Sequence, residues 1–207
     1  MKTLIIKYLP SAEHSNTKKL LDVAIAEIKK YHNQNIEELD LLSTKVPLFD
    51  KNSIQSYYKR NYNNINLSDA EQKLLEQNDL LIKQFKQADS IIIACPMHNF
   101  GFPGLVKLYL DAVVFFNETF AYDKKMMMDK KILTLYTSGA EYSKDTFNPQ
   151  FPNCDGVAFT AHALFNFMGF SHVQTIGTSL RGEENYQKNF SRVSSEINEL
   201  IKKWYTI

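Results

Sequence analysis

The chain has 207 residues, of which 44% are hydrophobic and 23% charged, and its formal net charge is +1. This size and balance predict one globular domain over residues 1–207, and the near-neutral charge gives no indication of the concentrated basic face that a nucleic-acid partner requires. The two cysteines, Cys95 and Cys154, do not make a disulfide framework or a metal cluster, and no apolar run reaches membrane-spanning length, so we expect a cytoplasmic protein without metal, membrane or nucleic-acid partners.

Short apolar runs alternate with longer amphipathic segments through the first half of the chain. Apolar residues within Leu21–Ile28 recur at helical spacing, whereas the β-branched run from Ile91 suits a parallel strand buried on both faces. Another helix is predicted to begin at Ser68, because Glu71 follows three residues later in the capping-box pattern. The predicted elements are strand Leu4–Ile6, helix Ser15–Tyr31, strand Ile36–Asp40, helix Ser68–Gln87 and strand Ser90–Ala94.

The second half continues the alternation. Pro103 lies near the start of a helix, where its missing N–H costs little. The predicted elements are helix Pro103–Val114, strand Ile132–Tyr136, a buried and aromatic-rich helix Phe151–Met168, strand His172–Ile176 and helix Glu183–Tyr205. Alternation from end to end predicts an α/β fold whose parallel sheet carries helices on both faces.

Two longer segments interrupt this pattern. Residues 43–67 are polar with three tyrosines, whereas residues 115–130 contain Phe116, Phe120, Tyr122 and a run of three methionines. Long excursions in compact domains usually serve function or an interface. For residues 43–67 a packed loop without function is an equally good interpretation, but the apolar second segment is predicted to meet a partner subunit or a substrate.

Polar loops follow three of the predicted strands at their carboxyl ends, where open parallel sheets bind ligands. The first loop, residues 9–17, offers Ser15, Asn16 and Thr17 beside the free N–H groups of a helix N-terminus, an arrangement that suits a monophosphate. It has neither the triphosphate-binding nor the dinucleotide-binding glycine pattern. Ser15 is equally well interpreted as an ordinary N-cap.

The second loop, residues 95–104, follows the most apolar strand. A flat polar heterocycle needs apolar contacts on its faces, which Pro96 and Met97 can supply. It also needs peptide N–H and C=O groups along its edge, which the backbone of His98, Asn99 and Phe100 can supply. Taken alone, His98 is more often a hydrogen-bonded polar residue than a catalyst.

The third loop, residues 137–142, follows the fourth strand. Its backbone N–H groups can stabilise negative charge on a ligand, as in an oxyanion hole. Taken alone, the segment is also typical of a simple turn.

These loops resemble the FMN-dependent NADH:azoreductase and quinone reductase family of bacteria, within the flavodoxin-like superfamily. The most specific match is Pro96-Met97-His98-Asn99-Phe100, which is similar to the family's P-[ML]-[YW]-N-F loop with histidine in place of the aromatic residue. The match continues to Thr119-Phe120-Ala121-Tyr122, which is similar to the family's T-F-x-Y. Ser15-Asn16-Thr17 stands where the family has S-[QS]-[SK], and Gly139 matches the glycine of the third loop.

The resemblance implies a single flavodoxin-like domain with five parallel strands in the order 2-1-3-4-5, which binds FMN non-covalently. It assigns the FMN phosphate to Ser15, Asn16 and Thr17. It also implies a homodimer whose substrate pocket, at the subunit interface, is lined partly by Phe120 and Tyr122. It assigns the flavin ring to Pro96, Met97, His98, Asn99, Phe100, Thr137, Ser138, Gly139 and Tyr142.

The sequence departs from the family pattern at three places around the expected substrate. Tyr8 replaces a small residue at the end of the first strand, Ser138 stands where many relatives have arginine, and residues 124–128 replace a turn with glycine and proline. These changes bear on substrate preference and nicotinamide affinity more than on FMN binding.

The resemblance implies two-step chemistry, in which NADH or NADPH reduces FMN and leaves before a quinone or azo compound takes two electrons. No acid–base residue is required, and His98 and Tyr142 are the candidates for assisting proton transfer. Two alternatives stay open. One is an electron carrier like true flavodoxins, which the near-neutral charge and the apolar excursions disfavour; the other is a flavin-less regulatory or binding module on the same fold.

Overall fold

A five-stranded parallel sheet forms the centre of the molecule, which a computed structural model describes for residues 1–31, 35–142 and 154–206. Its strands are β1 (Lys2–Lys7), β2 (Asn35–Asp40), β3 (Ser90–Pro96), β4 (Lys131–Thr137) and β5 (His172–Thr178). They lie in the order β2-β1-β3-β4-β5, and each neighbouring pair is parallel. The predicted flavodoxin-like sheet is therefore confirmed.

Helices cover both faces of this sheet. They are α1 (Asn16–Ile28), α2 (Lys51–Tyr57), α3 (Asp69–Gln87), α4 (Gly104–Val113), α5 (Gly156–Met168) and α6 (Glu183–Tyr205). Successive strand residues point to opposite faces, so Ile5 and Ile92 pack with α1 and α6, whereas Leu4 and Ile91 pack with α3, α4 and α5. The Ile91–Ile93 side chains are fully buried, which confirms the prediction of a doubly covered central strand, and each contributes about 1.5–3 kcal/mol of burial free energy.

The strand order reverses at β1, because β2 lies on one side of it and β3 on the other. The two connections that leave β1 and β3 therefore diverge to opposite faces and open a crevice beyond the carboxyl ends of these strands. Ligands of doubly wound sheets bind in this kind of crevice. The first and second loops of the sequence both lie there.

The segment 43–67 is more regular than its polar sequence indicated. It contains α2 and a π-helical segment, Tyr58–Tyr62. Asp50 caps α2, because its Oδ1 accepts the N–H groups of Asn52 at 3.0 Å and Ser53 at 2.8 Å. A single N-cap before a seven-residue helix without apolar periodicity is a weak local signal, so the sequence did not reveal α2.

The prediction of a buried helix over Phe151–Met168 is wrong in part. Residues 151–153 lie outside the described residues, and α5 begins at Gly156 behind its N-cap, Asp155. One side of α5 packs on the sheet, but Phe159 is 77% exposed and Phe167 is 48% exposed. Aromatic content alone did not distinguish a buried helix from one with an apolar outer face.

The predicted start of α3 at Ser68 is confirmed, but not all of the leucines along the helix are buried. Ser68 and Glu71 form the capping box reciprocally. Leu75, Leu81 and Phe85 are buried, whereas Leu74 and Leu80 face outward.

Within the described residues no helix is both long and apolar enough to cross a membrane.

Candidate active site

The three loops singled out in the sequence meet at the carboxyl edge of the sheet. Thr17 and Thr137 join the first loop to the third through their hydroxyl oxygens, which lie 2.7 Å apart in a buried position. The Met97 N–H donates to the carbonyl oxygen of Thr137 at 2.8 Å and joins the second loop to the third. The rings of Phe100 and Tyr142 add an edge-to-face contact with centroids 5.7 Å apart. The site is thus one continuous surface assembled from three connections.

The first loop presents a helix N-terminus with a positive surrounding. Ser15 is buried and caps α1 by accepting the Lys18 N–H at 3.2 Å. The N–H groups of Asn16 and Thr17 belong to the first turn, which has no intrahelical acceptor for them. Lys19 donates to Asn16 Oδ1 at 3.1 Å, so the Asn16 amide nitrogen is left as the donor on that side chain. An anion is favoured at this position by the first-turn N–H donors, by the dipole of α1 and by the charge of Lys19.

The second loop forms a tight turn at its centre. His98 and Gly101 exchange backbone hydrogen bonds of 3.0 and 2.9 Å, so the tip of the turn consists of Asn99 and Phe100. Both tip residues have positive φ, +48° and +65°, a conformation that costs a residue with a Cβ about 1–2 kcal/mol. Asparagine tolerates this region but phenylalanine rarely adopts it. Strain of this kind concentrates at functional sites, where the surrounding structure maintains it.

The third loop is held by its neighbours on β5. The Ser138 N–H donates to the carbonyl oxygen of Thr178 at 3.1 Å, and the Ser138 hydroxyl donates to the carbonyl oxygen of Ala140 at 2.6 Å. The Ser138 hydroxyl proton is therefore used inside the loop. Gly139 is exposed beside it, and a Cβ at that position would meet nothing within 4 Å.

Glu141 is a residue that the sequence reasoning missed. Its Oε1 accepts from the Thr178 hydroxyl at 2.7 Å, from the Ser179 N–H at 2.6 Å and from the Asn189 amide at 3.1 Å. The other carboxylate oxygen is buried and has no hydrogen-bond partner among the residues that the structure describes. Glu141 thus anchors the third loop to the β5–α6 connection. An acidic residue in a strand-end loop was the only available signal.

Two departures from the family pattern contact one another. The ring of Tyr8, at the end of β1, meets the ring of His98 edge-on with centroids 5.9 Å apart. His98 is exposed, and this contact restrains its ring. No local pattern pairs these two positions, because they are separated by 90 residues.

Phe120 and Tyr122 belong to a separate aromatic cluster. Phe120 is 8% exposed and Tyr122 is 72% exposed. Their ring partners are Phe116 on one side and Phe167 of α5 on the other, at centroid distances between 5.3 and 6.2 Å. Tyr122 and Phe167 of α5 therefore form an outward-facing aromatic surface, and the buried Phe120 packs beside both of them.

Comparison with known proteins decides the family. The family model described as having the flavodoxin-like fold matches residues 1–201, nearly the whole chain. The chain belongs to this family. Its sheet order and strand-end loops agree with that membership.

Two curated relatives of this flavodoxin-like chain carry the same description. An FMN-dependent NADH:quinone oxidoreductase 1 from Bacillus cereus is 28% identical over 215 residues, which cover 98% of this chain and 99% of the relative. A protein of the same description from Lactiplantibacillus plantarum is 30% identical over 159 residues, covering 72% of this chain and 73% of the relative.

A solved structure shares the architecture of the chain. The crystal structure of an FMN-dependent NADH-azoreductase from Bacillus anthracis, in complex with FMN, superimposes with a TM-score of 0.84 at 25% identity. The superposition covers 99% of this chain and 100% of that one.

Within the described residues, no group of three His, Cys, Asp or Glu side chains is arranged to hold a metal ion.

Proposed function

We propose that this chain is an FMN-dependent NAD(P)H oxidoreductase that passes two electrons to quinones and azo compounds. The observation that carries the proposal is the strained turn at Asn99 and Phe100, which lies at the reversal point of the sheet and next to the anion-attracting start of α1. The relatives with matching length, described as FMN-dependent NADH:quinone oxidoreductases, support the same activity. The hydrogen bond between Thr17 and Thr137 holds the first and third loops together, which supports a ligand that contacts both loops.

The first loop fits the phosphate of FMN. Asn16 and Thr17 would bind it through their first-turn N–H groups and the Asn16 amide nitrogen, and Ser15, whose N–H donates to the carbonyl oxygen of Ala12, would bind it through its hydroxyl. Lys18 lies in the same turn, although its ammonium group is shared with Asp22 at 2.9 Å and Glu13 at 3.7 Å. The Asp22 hydrogen bond is the largest cause that raises the pKa of Lys18, so the residue stays cationic at neutral pH. The free first-turn N–H groups and the dipole of α1 favour a dianionic group over a neutral one.

The second and third loops fit a flat ring. Pro96 and Met97 are half-buried and would lie against one face of the ring, while the backbone of the turn His98–Phe100 would face its edge. Thr137, Ser138, Gly139 and Tyr142 would close the opposite side. FMN held by these residues would supply hydride acceptance from a nicotinamide and two-electron transfer to an oxidised acceptor. The residues of this chain orient the ring, exclude water from one face and polarise its edge.

Proton delivery requires no dedicated residue in this proposal. His98 is exposed at the crevice, and Tyr142 reaches it through its contact with Phe100. Either side chain can assist a proton at the acceptor, and solvent reaches the same place. We therefore expect substitution of His98 or Tyr142 to lower the rate without abolishing it.

A homodimer completes the proposed substrate pocket. Phe120 and Tyr122 lie beside Phe167, and α4 and α5 border an open groove of about 410 Å³ whose rim includes Phe159. A contiguous exposed aromatic surface of this kind usually meets another protein surface. A second copy of the chain, placed on this face, would bring Phe120 and Tyr122 toward the crevice of its partner.

The extent of the domain follows from the sheet. Strands from Lys2 to Thr178 belong to one sheet, and α6 returns to pack on α1, so we propose that residues 1–207 form one domain. The cytoplasmic location predicted from the sequence stays a prediction.

The proposed function is tested by comparing two cofactors in one assay. Apoprotein mixed with FMN is expected to catalyse benzoquinone-dependent oxidation of NADH or NADPH, with parallel double-reciprocal plots that indicate two-step exchange. Riboflavin, which lacks the phosphate, is expected to bind at least about tenfold more weakly because it forgoes the α1 site. Equal affinity for FMN and riboflavin would contradict the phosphate assignment, and absence of turnover with either nicotinamide would contradict the activity.

A further inference from the structure

A buried tyrosine and a helix-capping aspartate are paired behind the flavin loops. Tyr136, in β4, is 4% exposed, and its hydroxyl donates to Oδ2 of Asp155. The other carboxylate oxygen, Oδ1, accepts the Ala158 N–H at 3.0 Å and so caps α5. Asp155 is therefore held at both oxygens, once by the sheet and once by the helix that it begins.

The position of Tyr136 is fixed by the neighbouring strand. Tyr136 lies opposite Gly177 in the β4–β5 register. A Cβ on Gly177 would lie 2.0 Å from the ring atom Cζ of Tyr136, so the ring lies directly over this glycine. Only glycine permits this approach. Burial is the largest cause that raises the pKa of Tyr136 above its ordinary value, followed by the hydrogen bond to Asp155, so the hydroxyl keeps its proton.

The first residue of α5 contacts the strained turn. A Cβ on Gly156 would lie 2.3 Å from the carbonyl oxygen of Phe100, so the backbone of the helix start and the backbone of the turn are in direct contact. Phe100 is one of the two residues with positive φ. Any shift of the α5 start is thus transmitted to the tip of the turn.

We propose that Tyr136 and Asp155 are positioning residues for the flavin-binding turn: they fix the first turn of α5, and Gly156 then supports Phe100 in its left-handed conformation. The inference rests on the proposed function, because it concerns how the same site holds its ring. Neither residue touches the crevice in this account; both act through the backbone of Gly156. A displaced turn changes the polar groups at the ring edge, so it alters both FMN affinity and the redox potential of bound FMN.

The decisive variant is Tyr136→Phe, which removes the hydroxyl and keeps the ring. It leaves the Asp155 carboxylate without one of its donors, and we expect FMN to bind about tenfold more weakly. The midpoint potential of bound FMN and its visible spectrum are expected to shift as well. These are measured by fluorescence titration and by anaerobic spectroelectrochemistry.

Tyr205→Phe is the matched control. The Tyr205 hydroxyl is also buried and hydrogen-bonded, to Thr3 at 2.5 Å and Ser90 at 2.9 Å, but it lies at the amino ends of the strands. This variant is expected to lower the free energy of unfolding without changing FMN affinity or potential. Equal effects of the two substitutions on FMN would show a general loss of stability and overturn the positioning role.

Three further variants test the pair from the helix side. Asp155→Asn retains the oxygen that caps α5 and turns an amide N–H donor toward the Tyr136 hydroxyl oxygen, so it is expected to bind FMN nearly as wild type does, whereas Asp155→Ala is expected to resemble Tyr136→Phe. Gly156→Ala favours the helix but places a methyl group against Phe100, and we expect it to weaken FMN binding while the protein stays folded. It keeps the inference testable should Tyr136→Phe fail to fold.

Two outcomes separate this inference from the proposed function. If Tyr136→Phe or Gly156→Ala binds FMN with the affinity and midpoint potential of the wild type, the positioning role is wrong and the proposed function still stands. If the wild-type protein binds no FMN, the proposed function itself is wrong.

Discussion

Thr17 and Thr137 connect the first loop to the third loop by one buried hydroxyl contact of 2.7 Å. Replacing Thr17 with valine keeps the shape but leaves the Thr137 hydroxyl without this partner. We expect Thr17→Val to lower the free energy of unfolding of the apoprotein by about 1–2 kcal/mol, measured by urea titration. The double variant Thr17→Val/Thr137→Val removes both polar groups and is expected to lose less than the sum of the single losses. Strict additivity would contradict a direct contact.

Tyr8 restrains His98 through an edge-to-face contact at the end of β1. Such ring pairs contribute about 0.5–1.5 kcal/mol, so Tyr8→Ala is expected to weaken FMN binding about two- to tenfold by releasing the second loop. Tyr8→Phe keeps the ring and is the control, for which FMN affinity should stay at the wild-type value. A loss of affinity in Tyr8→Phe would assign the effect to the hydroxyl rather than to the contact with His98.

Among the helices, the start of α3 depends on the charge of Glu71. Its carboxylate accepts from Lys59 and from the Ser68 N–H, and the Lys59 hydrogen bond is the largest cause that lowers its pKa from 4.5 to about 2. Because the pKa is lower in the folded protein than in the unfolded chain, this contribution to stability is complete above pH 4.5 and is lost as pH falls toward 2.

Glu71→Gln should therefore weaken the dependence of the free energy of unfolding on pH in the acid range. Glutamine retains the capping-box geometry but not the ionisation. Urea midpoints from about pH 6 to about pH 3 are expected to fall less steeply for Glu71→Gln than for wild type. Identical slopes would show that Glu71 has the same pKa in the folded and unfolded states.

Helices and strands were predicted best from the sequence where a short local pattern marks them. The unbroken apolar run of β3 and the Ser68–Glu71 capping box both correspond to the structure. The aromatic content predicts a helix from Phe151, whereas α5 begins at Gly156 behind its N-cap Asp155, because composition does not mark the end of a helix. The helix α2 was missed for the opposite reason, since its cap has no apolar periodicity behind it. Local patterns therefore identify elements better than they place the ends.

For the whole molecule, the proposed dimer depends on the outer face of α5. Phe167→Glu places a carboxylate in this aromatic surface, and burying it in an interface without a partner is costly. We expect the variant to sediment as a monomer and to turn over benzoquinone more slowly, while still binding FMN. Leu80→Glu is the control, because Leu80 is 57% exposed but lies on α3. A wild-type chain that sediments as a monomer would contradict the dimer.

The site was predictable from sequence as a set of loops but not as a set of contacts. The strand-end positions of Ser15, Asn99 and Thr137 follow from the alternation of elements and from the family resemblance. The pairing of Tyr136 with Asp155 depends on the register that sets Tyr136 over Gly177. Register and the relative placement of helices arise from packing over the whole sheet, and no short motif encodes them.

We propose that the three loops hold FMN where a nicotinamide can reduce it. It is tested most directly by recording the visible absorption spectrum of the FMN-loaded protein under anaerobic conditions, first with NADH or NADPH and then with benzoquinone. We expect the nicotinamide to bleach the flavin stoichiometrically and benzoquinone to restore its colour. A protein that binds no FMN, or whose bound flavin is unchanged by both NADH and NADPH, would contradict it.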